Sequence, residues 1–385
     1  MGLYLAIKEI WRNRTRFLLF SLVIALITIL VLFIAALAVG LANANKEYLD
    51  KLNTDLLAFQ DNVDLQITTS QIGWSKLNDI RRVDGVVDIG AIGYSRATLV
   101  FEDGREPVDV SLIGVEAGRP GSPSVTDGRA LRTTRGNEVV IDENAVRQAG
   151  LAIGDQIIIK VIQGTKEEFY ALRVVGTAEA QQYLYAPSIF LPFQTWERVR
   201  PQAVRGGTPG REQAANMVAI RVQSGLNLQS AASRIQSQVS DLQVVDKETA
   251  IQAIPGYSVQ QSTLNTQRSF TLLIGLLVIG GFFQIQTLQK VPQIGVLKAI
   301  GADNKVIAVS VVSQISIVTL IGVAIGTLVT FLFSIFMPDA VPIIFEPRAI
   351  VFQILGLLAI GPLGGLVAVR LATRIEPLTA LGVSS

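Results

Sequence analysis

The sequence predicts an integral membrane protein: an all-α bundle of four transmembrane helices, with a large α+β extracytoplasmic domain inserted between helices 1 and 2. Of the 385 residues, 50% are hydrophobic and only 17% are charged, and the mean hydropathy is +0.45. Soluble domains carry about 25% charged residues, so this composition is typical of a membrane protein. Four long apolar runs, with one long polar segment between the first two, predict the rest of the architecture.

None of the four apolar runs contains Asp, Glu, Lys or Arg. They occupy residues 17–42, 270–288, 306–336 and 349–369. A helix needs about 20 apolar residues to cross the hydrocarbon core, so each run is long enough. Ion-coupled carriers and pumps need ionisable groups at membrane depth, which argues against that class of transporter. With their flanking residues, the runs give predicted transmembrane helices at 17–45, 269–289, 306–337 and 349–370.

Residues 1–16 precede the first run and predict an amphipathic helix on the inner leaflet. Its apolar face carries Leu3, Ile7, Ile10 and Trp11, and charged residues occupy the rest of the helical wheel. The alternative is a solvated basic tail that only fixes the topology. The first run is too long for a secretory signal and lacks a small-residue cleavage pattern, so we expect it to be retained.

Basic residues near the helix ends predict the orientation, because cytoplasmic segments carry an excess of Lys and Arg. The loop 290–305 and the tail 371–385 are therefore expected in the cytoplasm with the N-terminus, and the 46–268 domain and the loop 338–348 outside. The protein would be a multi-pass protein of the cytoplasmic (inner) membrane. The basic residues that support this orientation are Lys8, Arg12, Arg14, Arg16, Lys290, Lys298, Lys305, Arg370 and Arg374.

The 46–268 segment predicts a packed α+β domain that opens with a helical continuation of the first span over 46–59. A Pro- and Gly-rich stretch at 200–210 predicts an exposed loop. Helical patterns occur at 74–82, 143–149, 193–200 and 228–239. Patterns typical of strands occur at 63–68, 86–92, 108–115, 138–141, 156–162, 170–175, 217–222 and 242–245.

The loop between the second and third runs predicts a short helix. Pro292 is placed to begin it and Gly301 to end it. Ile294, Leu297 and Lys298 would then share one face at i, i+3 and i+4. An exposed apolar face without a partner is unfavourable, so a protein surface is expected to receive this helix.

From Gln293 to Ala302 this loop resembles the coupling helix E-I-G-I-L-K/R-A-x-G-A of the MacB/FtsX superfamily of ABC transporter permeases. Gln293 stands where the family has an acidic residue, which removes that partner of an ion pair. The tail 374–381 is similar to the family's C-terminal ending, and the topology matches as well. The residues that the resemblance implies for coupling to an ATPase are Pro292, Gln293, Ile294, Gly295, Val296, Leu297, Lys298, Ala299, Ile300 and Gly301.

Within the superfamily the chain resembles the hemin efflux permeases of the HrtB type, and next to them the DevC-like permeases of tripartite exporters. The resemblance implies a homodimer with two copies of a separate ATPase, which would expel an amphiphile, heme first, by mechanotransmission. The alternatives are a tripartite lipid or peptide exporter with a periplasmic adaptor and outer-membrane channel, or an FtsX-like signal relay to an outer-face partner. The segments that carry this likeness are 9–13, 40–43, 45–47, 254–257, 287–290 and 338–343.

The chain has no phosphate-binding loop motif, so ATP and Mg²⁺ are expected on the partner ATPase and no cofactor or metal on this chain. It lacks His and Cys, which excludes catalysis by imidazole or thiol groups. Carboxylate pairs keep a hydrolase open as the enzymatic alternative, but we expect a non-catalytic subunit in the lipid bilayer, without nucleic acid.

Tyrosine is a known heme ligand, so Tyr183, Tyr185 and Tyr257 are the candidate substrate contacts, against a purely structural role. Close helix packing is predicted at two pairs of glycines, within one subunit or across a dimer. These glycines are Gly322, Gly326, Gly361 and Gly365.

Overall fold

The computed structural model describes residues 2–201, 213–337 and 343–374. The chain divides into two compact units. The helical unit comprises Met1–Gly40 and Gln261–Ser385, and the inserted unit comprises Leu41–Gln260. The predicted fold class, four membrane-spanning helices with an α+β insertion between the first and second, is confirmed.

Two helices begin the chain: α1 (Gly2–Arg12) and α2 (Arg14–Lys51). Ala6 of α1 is fully buried and Ile10 packs against the apolar core of the helical unit, while Leu3, Ile7 and Trp11 are exposed. The predicted apolar face is therefore divided: Ile10 packs within the protein, and the other three residues are available to a membrane surface.

The inserted unit contains a ten-stranded mixed sheet, counted over the described residues, and helices on its faces. The sheet has the order β12-β1-β11-β3-β4-β9-β6-β8-β5, with β7 paired to β3 and β8, and β2 pairs with β10 separately. In chain order the elements are β1 (Leu56–Gln60), β2 (Ile72–Gly73), α3 (Trp74–Arg81), β3 (Val86–Val100), β4 (Val108–Val115), β5 (Val125–Gly128), β6 (Glu138–Asp142), α4 (Glu143–Ala149), β7 (Gln156–Gln163), β8 (Lys166–Ala178), β9 (Ser188–Pro192), α5 (Phe193–Val199), β10 (Ala214–Ala215), β11 (Met217–Val222), α6 (Leu228–Gln238), β12 (Leu242–Asp246) and α7 (Lys247–Gln252).

Both faces of this sheet are buried, because strand side chains point alternately to opposite faces. In β1, Leu56 and Ala58 belong to one apolar core, and Leu57 and Phe59 belong to the other. The second core also takes in Tyr48 and neighbouring residues at the end of α2. Each face is therefore covered by apolar side chains, and the unit has its own hydrophobic interior.

Two predictions for the inserted unit are wrong. The helix predicted over 46–59 ends at Lys51, and Leu56–Gln60 is a strand. This strand consists of Leu, Ala, Phe and Gln and has no β-branched residue, so its composition does not distinguish a strand from a helix. The strand predicted at 63–68 is a series of turns, in which Asp64 and Leu65 have positive φ angles of 51° and 57°.

Four further helices follow in the described residues: α8 (Tyr257–Gln289), α9 (Val291–Ala299), α10 (Asn304–Ile335) and α11 (Pro347–Arg374). Within the described residues, four helices are long and apolar enough to cross a membrane: α2, α8, α10 and, over Pro347–Leu366, α11. Helix α8 begins at Tyr257, before the predicted end of the extracytoplasmic domain at residue 268.

The predicted glycine pairs bring transmembrane helices of the same chain together. A Cβ atom at Gly322 would lie 2.6 Å from Cβ of Ile24, and one at Gly326 would lie 2.6 Å from Cβ of Thr28, so both glycines face α2. Gly361 and Gly365 face Thr319 and Ile315 of α10 in the same way. These four positions are filled by close contacts within one subunit.

Three sequence-predicted features lie wholly or largely outside the described residues. They are the loop at 200–210, the 338–343 segment of the loop before α11, and the tail motif at 374–381.

Candidate functional site

The candidate site is the short helix α9, which connects α8 to α10. Lys290 is its N-cap residue, and Pro292 lies in the first turn, where its missing N–H is not needed. At the other end Gly301 has φ of 99° and its N–H donates to the carbonyl of Lys298 (2.9 Å), while the N–H of Ala302 donates to the carbonyl of Leu297 (3.0 Å). This pair of bonds is a Schellman motif, which requires a left-handed residue at Gly301 and therefore ends the helix there.

One face of α9 packs on the protein. Ile294 is 6% exposed and contacts Ile307 and Val311 of α10. The prediction that Ile294 shares a partner-binding face with Leu297 and Lys298 is therefore wrong for Ile294, because its side chain fills a contact within the chain.

The opposite face of α9 is apolar and exposed. Leu297 is 40% exposed, Val296 is 43% exposed and Ile300 is 80% exposed. Pro292, Gln293 and Ala299 are exposed beside them. We call Val296, Leu297 and Ile300 the exposed coupling face.

Lys290, at the start of α9, is held by a group of polar side chains. Its ammonium forms an ion pair with Glu9 of α1 and donates to Oε1 of Gln314 in α10 (2.9 Å). Nε2 of Gln314 in turn donates to Oε2 of Glu9 (2.7 Å), which closes a ring of three side chains, the anchor cluster. Burial lowers the pKa of Lys290, and the Glu9 carboxylate opposes this shift.

A second anchor lies at the end of α9. The Lys298 ammonium donates to the backbone carbonyl of Thr373 in α11 (2.7 Å). Helix α9 is thus attached to α1 and α10 at its start, to α10 through Ile294, and to α11 at its end. These contacts join α9 to three helices of the same chain.

Glu9 and Gln314 were not found by the sequence analysis, although each carries a signal. Glu9 is the one acidic residue among the basic residues before the first apolar run, and Gln314 is an amide within an otherwise apolar run. A polar group within a transmembrane run, such as Gln314, is costly unless paired, which indicates a partner. The sequence does not show that Glu9 and Gln314 contact each other, or that both contact Lys290.

The three candidate tyrosines lie in the inserted unit in different environments. Tyr183 is 4% exposed and its ring contacts Tyr48 and Tyr94 edge-on, with centroids 5.7 Å and 5.3 Å away. Burial, and then the neighbouring Tyr94, raises the pKa of Tyr183 far above its ordinary value, which disfavours the tyrosinate form that binds iron. Tyr185 is exposed and its hydroxyl donates to Oε1 of Gln260 (2.8 Å), and Tyr257 is half-buried.

Tyr183 and Tyr185 belong to a tight turn, residues 183–186, that holds the end of α2. Leu184 and Tyr185 have positive φ angles of 51° and 66°, which residues with a side chain adopt rarely. The N–H of Tyr185 donates to the carbonyl of Ala44 (2.9 Å), and just before the turn the carbonyl of Gln182 accepts from the N–H of Tyr48 (3.0 Å). These bonds stabilise the turn and fix the part of α2 that lies in the inserted unit.

Two family models match the chain. One described as MacB-like periplasmic core domain matches residues 17–238, and one described as FtsX-like permease C-terminal matches residues 269–377. The second match includes all of α9 and its anchors on α10 and α11.

Curated proteins of the same kind are similar over long stretches. The putative hemin transport system permease protein HrtB of Staphylococcus haemolyticus is 25% identical over 378 residues, which are 98% of this chain and 99% of that protein. The macrolide export ATP-binding/permease protein MacB of Escherichia coli K12 is 26% identical over 259 residues, 64% of this chain and 38% of that protein. Among solved structures, the extracellular domain of the noncanonic ABC-type transporter YknZ from Gram-positive bacteria is 16% identical, with a TM-score of 0.36, over 50% of this chain and 100% of that domain.

Proposed function

The chain belongs to the MacB/FtsX family of ABC transporter permeases, and from this premise we propose that it is the non-catalytic membrane subunit of an exporter that expels an amphiphile. The observation that carries the proposal is helix α9, which is anchored to three helices on one side and presents an apolar face on the other. Such a face needs a protein partner in water. The partner would be the ATPase, on a separate chain that binds ATP and Mg²⁺.

The assembly we propose is a homodimer of this permease with two copies of the ATPase. Lys8, Lys290 and Arg370 and their basic neighbours support placing both termini and α9 in the cytoplasm, with the inserted unit outside the inner membrane. ATP binding would close the ATPase dimer and move α9. The anchor cluster and the Lys298–Thr373 hydrogen bond would pass this movement to α1, α10 and α11.

The movement would reach the inserted unit through α2 and α8, because each of these helices continues without a break from its apolar run into that unit. Turn 183–186 fixes the end of α2 by hydrogen bonds, so it would move with that helix. We propose that this displacement reshapes an opening at the outer leaflet and releases the substrate. The uncharged apolar runs support a mechanism without a polar channel.

Heme is the leading substrate in this proposal, supported by the full-length similarity to a putative hemin permease. Of the three candidate tyrosines, the exposed Tyr185 and the half-buried Tyr257 would contact the substrate, and Tyr183 would act structurally, since it is buried. No cofactor would be bound permanently, because an exporter has to release its cargo. The similarity to MacB over 64% of the chain favours a tripartite lipid or peptide exporter as the second candidate.

The coupling proposal is tested by Leu297→Asp in the permease co-purified with its ATPase in lipid nanodiscs. A charge on the exposed coupling face should prevent docking, so that substrate-dependent transport is lost while the isolated ATPase stays active. Ile153→Asp is the matched control, because Ile153 in the inserted unit is also 40% exposed. Transport by the Leu297 variant at the wild-type rate would refute the coupling role of α9.

The substrate proposal is tested in the same nanodiscs by titrating hemin and following both its Soret absorbance and ATP hydrolysis. Saturable binding that changes ATP turnover and that Tyr257→Phe weakens would support heme export. ATP hydrolysis without any response to hemin would leave coupling intact and exclude heme as the substrate.

A further inference from the structure

Arg268 is the one charged residue of α8. It lies two positions before the apolar run that begins at Phe270, at the depth where lipid head groups meet the hydrocarbon core. At this depth a guanidinium can reach the phosphate groups of lipids.

The partners of Arg268 within the described residues are neutral. Gln353 of α11 is 2% exposed, and with its amide oriented by its partners, its oxygen accepts from Nε (2.7 Å) and one terminal nitrogen (2.9 Å) of the guanidinium. The ring of Phe352 lies 5.9 Å from the guanidinium carbon. No ion pair joins Arg268 to a carboxylate in the part of the chain that the structure describes.

This arrangement orients the guanidinium without neutralising it. The buried Gln353 amide accepts from one edge of the planar guanidinium. The remaining N–H groups of Arg268 can therefore donate to another acceptor. A guanidinium held in this way matches the geometry of a phosphate group, which accepts several parallel hydrogen bonds.

A lipid-sized apolar surface continues from the guanidinium along α11. Phe352, Gly356, Ala359, Leu363 and Leu366 follow one another at helical spacing on one face of that helix. Phe352 is 70% exposed, Leu363 is 57% exposed and Leu366 is 58% exposed. A Cβ atom built at Gly356 meets no heavy atom within 4 Å, so the surface has an open notch at Gly356, one helical turn after Phe352.

We propose that Arg268, Gln353 and this face of α11 bind one anionic phospholipid from the leaflet at the N-terminal end of α8. The phosphate would accept from the guanidinium, and an acyl chain would lie over Gly356 and along Leu363. Free phosphate does not fit this site as well, because it leaves the apolar face uncovered. A zwitterionic lipid binds less well, because its own cation competes with Arg268 for the phosphate.

The test measures retained lipid by native mass spectrometry of the full permease–ATPase complex. The complex is reconstituted in nanodiscs of phosphatidylcholine, alone or with a minor share of phosphatidylglycerol. The wild type should retain phosphatidylglycerol on each permease chain. Arg268→Gln should weaken that retention about tenfold, the effect of losing a charge-assisted hydrogen bond.

Two further variants separate binding from folding. Arg348→Gln removes an exposed cation just before the same stretch of α11 and should leave the retained lipid unchanged. Gly356→Leu keeps the Arg268 charge, and it fits the fold because the space beyond Gly356 is empty. Its side chain would fill the notch, so it should also weaken the retention of phosphatidylglycerol.

The proposal is overturned if Arg268→Gln retains phosphatidylglycerol as the wild type does, or if Arg348→Gln loses as much lipid as Arg268→Gln. It is also overturned if the wild type does not prefer phosphatidylglycerol to phosphatidylcholine.

Discussion

The inserted unit and the helical unit bury their side chains by different means. In the inserted unit, a sheet covered on both faces encloses large side chains such as Trp196, Phe59 and Phe190, each at most 1% exposed. In the helical unit, glycines bring helices together, and Leu277, Phe331 and Leu363 remain more than half exposed, as expected of residues that face lipid. One cluster of polar side chains in the helical unit, formed by Glu9, Lys290 and Gln314, lies where α9 begins.

With the role proposed for α9, this difference predicts that stability and coupling depend on different parts of the chain. The inserted unit has a core of its own, so losses there should appear as unfolding. In the helical unit the bilayer supplies much of the apolar environment, so a change at the anchor cluster should alter coupling while the fold persists. The predictions below test this separation from the largest expected effect to the smallest.

The largest effect is expected from Trp196→Ala. The indole is fully buried against Phe193, with Gly93 and Gly114 leaving room for it, and its Nε1 donates to Oγ of Ser95 (3.0 Å). Removing a large aromatic side chain from a core costs about 3–5 kcal/mol of the free energy of unfolding. Urea unfolding of the full chain in nanodiscs, followed by circular dichroism, measures the change. Trp11→Ala, at a position 78% exposed, is the control and should leave the curve unchanged.

A pH effect should follow from Asp142, the N-cap of α4. Burial raises the pKa of Asp142 to about 6 from its ordinary value near 3.8. The folded state therefore holds this proton more tightly. Its stabilising contribution, at most about 3 kcal/mol, is complete below pH 3.8 and is lost as the pH rises through about 6.

Unfolding of the wild type and of Asp142→Asn across this pH range isolates the effect, because other carboxyl groups titrate in both. The Asn side chain still accepts from the N–H of Ala145, as Asp142 does (2.8 Å). The difference between the two proteins should change with pH between about 4 and 6. A constant difference would show that Asp142 titrates in the folded protein as it does in the unfolded chain.

Gly322→Ala should weaken the helical unit alone. The added methyl group would overlap Ile24 and the backbone carbonyl of Ser21, and overpacking of this kind costs about 1–3 kcal/mol. Gly281→Ala is the matched control, since a Cβ atom at residue 281 meets no heavy atom within 4 Å. The temperature at which the protein aggregates in detergent should be lower for Gly322→Ala only. The urea unfolding curve of the inserted unit should be unchanged in both variants.

The smallest effect on folding and a clear effect on coupling are expected from Glu9→Gln. The change leaves the Lys290 ammonium without its counter-ion, at a cost of about 1–2 kcal/mol for a partly exposed pair. Transport per ATP hydrolysed should fall in nanodiscs. The double variant Glu9→Lys with Lys290→Glu, which exchanges the two charges, should restore part of the transport per ATP hydrolysed. Wild-type coupling in Glu9→Gln would show that the anchor cluster serves only to hold the helices together.

The sequence predicted those parts of the molecule whose patterns are local. Two strands, Val108–Val115 and Met217–Val222, were predicted correctly because both are rich in β-branched residues. Likewise, Pro292 and Gly301 indicated the limits of α9. Strands β1 and β9 were missed because they are poor in β-branched residues: Leu56–Gln60 has none and Ser188–Pro192 has only Ile189.

The anchor cluster is not readable from local patterns at all. Glu9 and Gln314 are 305 residues apart in the chain, and only the packing of α1 on α10 brings them together. For the same reason the sequence did not show that Ile294 faces inward. Its spacing to Leu297 and Lys298 fits a common face, but tertiary contacts decide which side of a short helix is buried.

The length of α2 has a mechanical consequence. This helix runs for 38 residues from Arg14 to Lys51 with no proline, which corresponds to a rod of about 57 Å. Tyr48 lies 20 residues beyond Thr28, the residue of α2 that packs on Gly326, which is about 30 Å along the helix, so a tilt of about 5° about that contact would displace Tyr48 by about 3 Å. The displacement of a helix residue grows with its distance from the pivot, so a small tilt at the Gly326 contact would produce a larger movement at the end of α2.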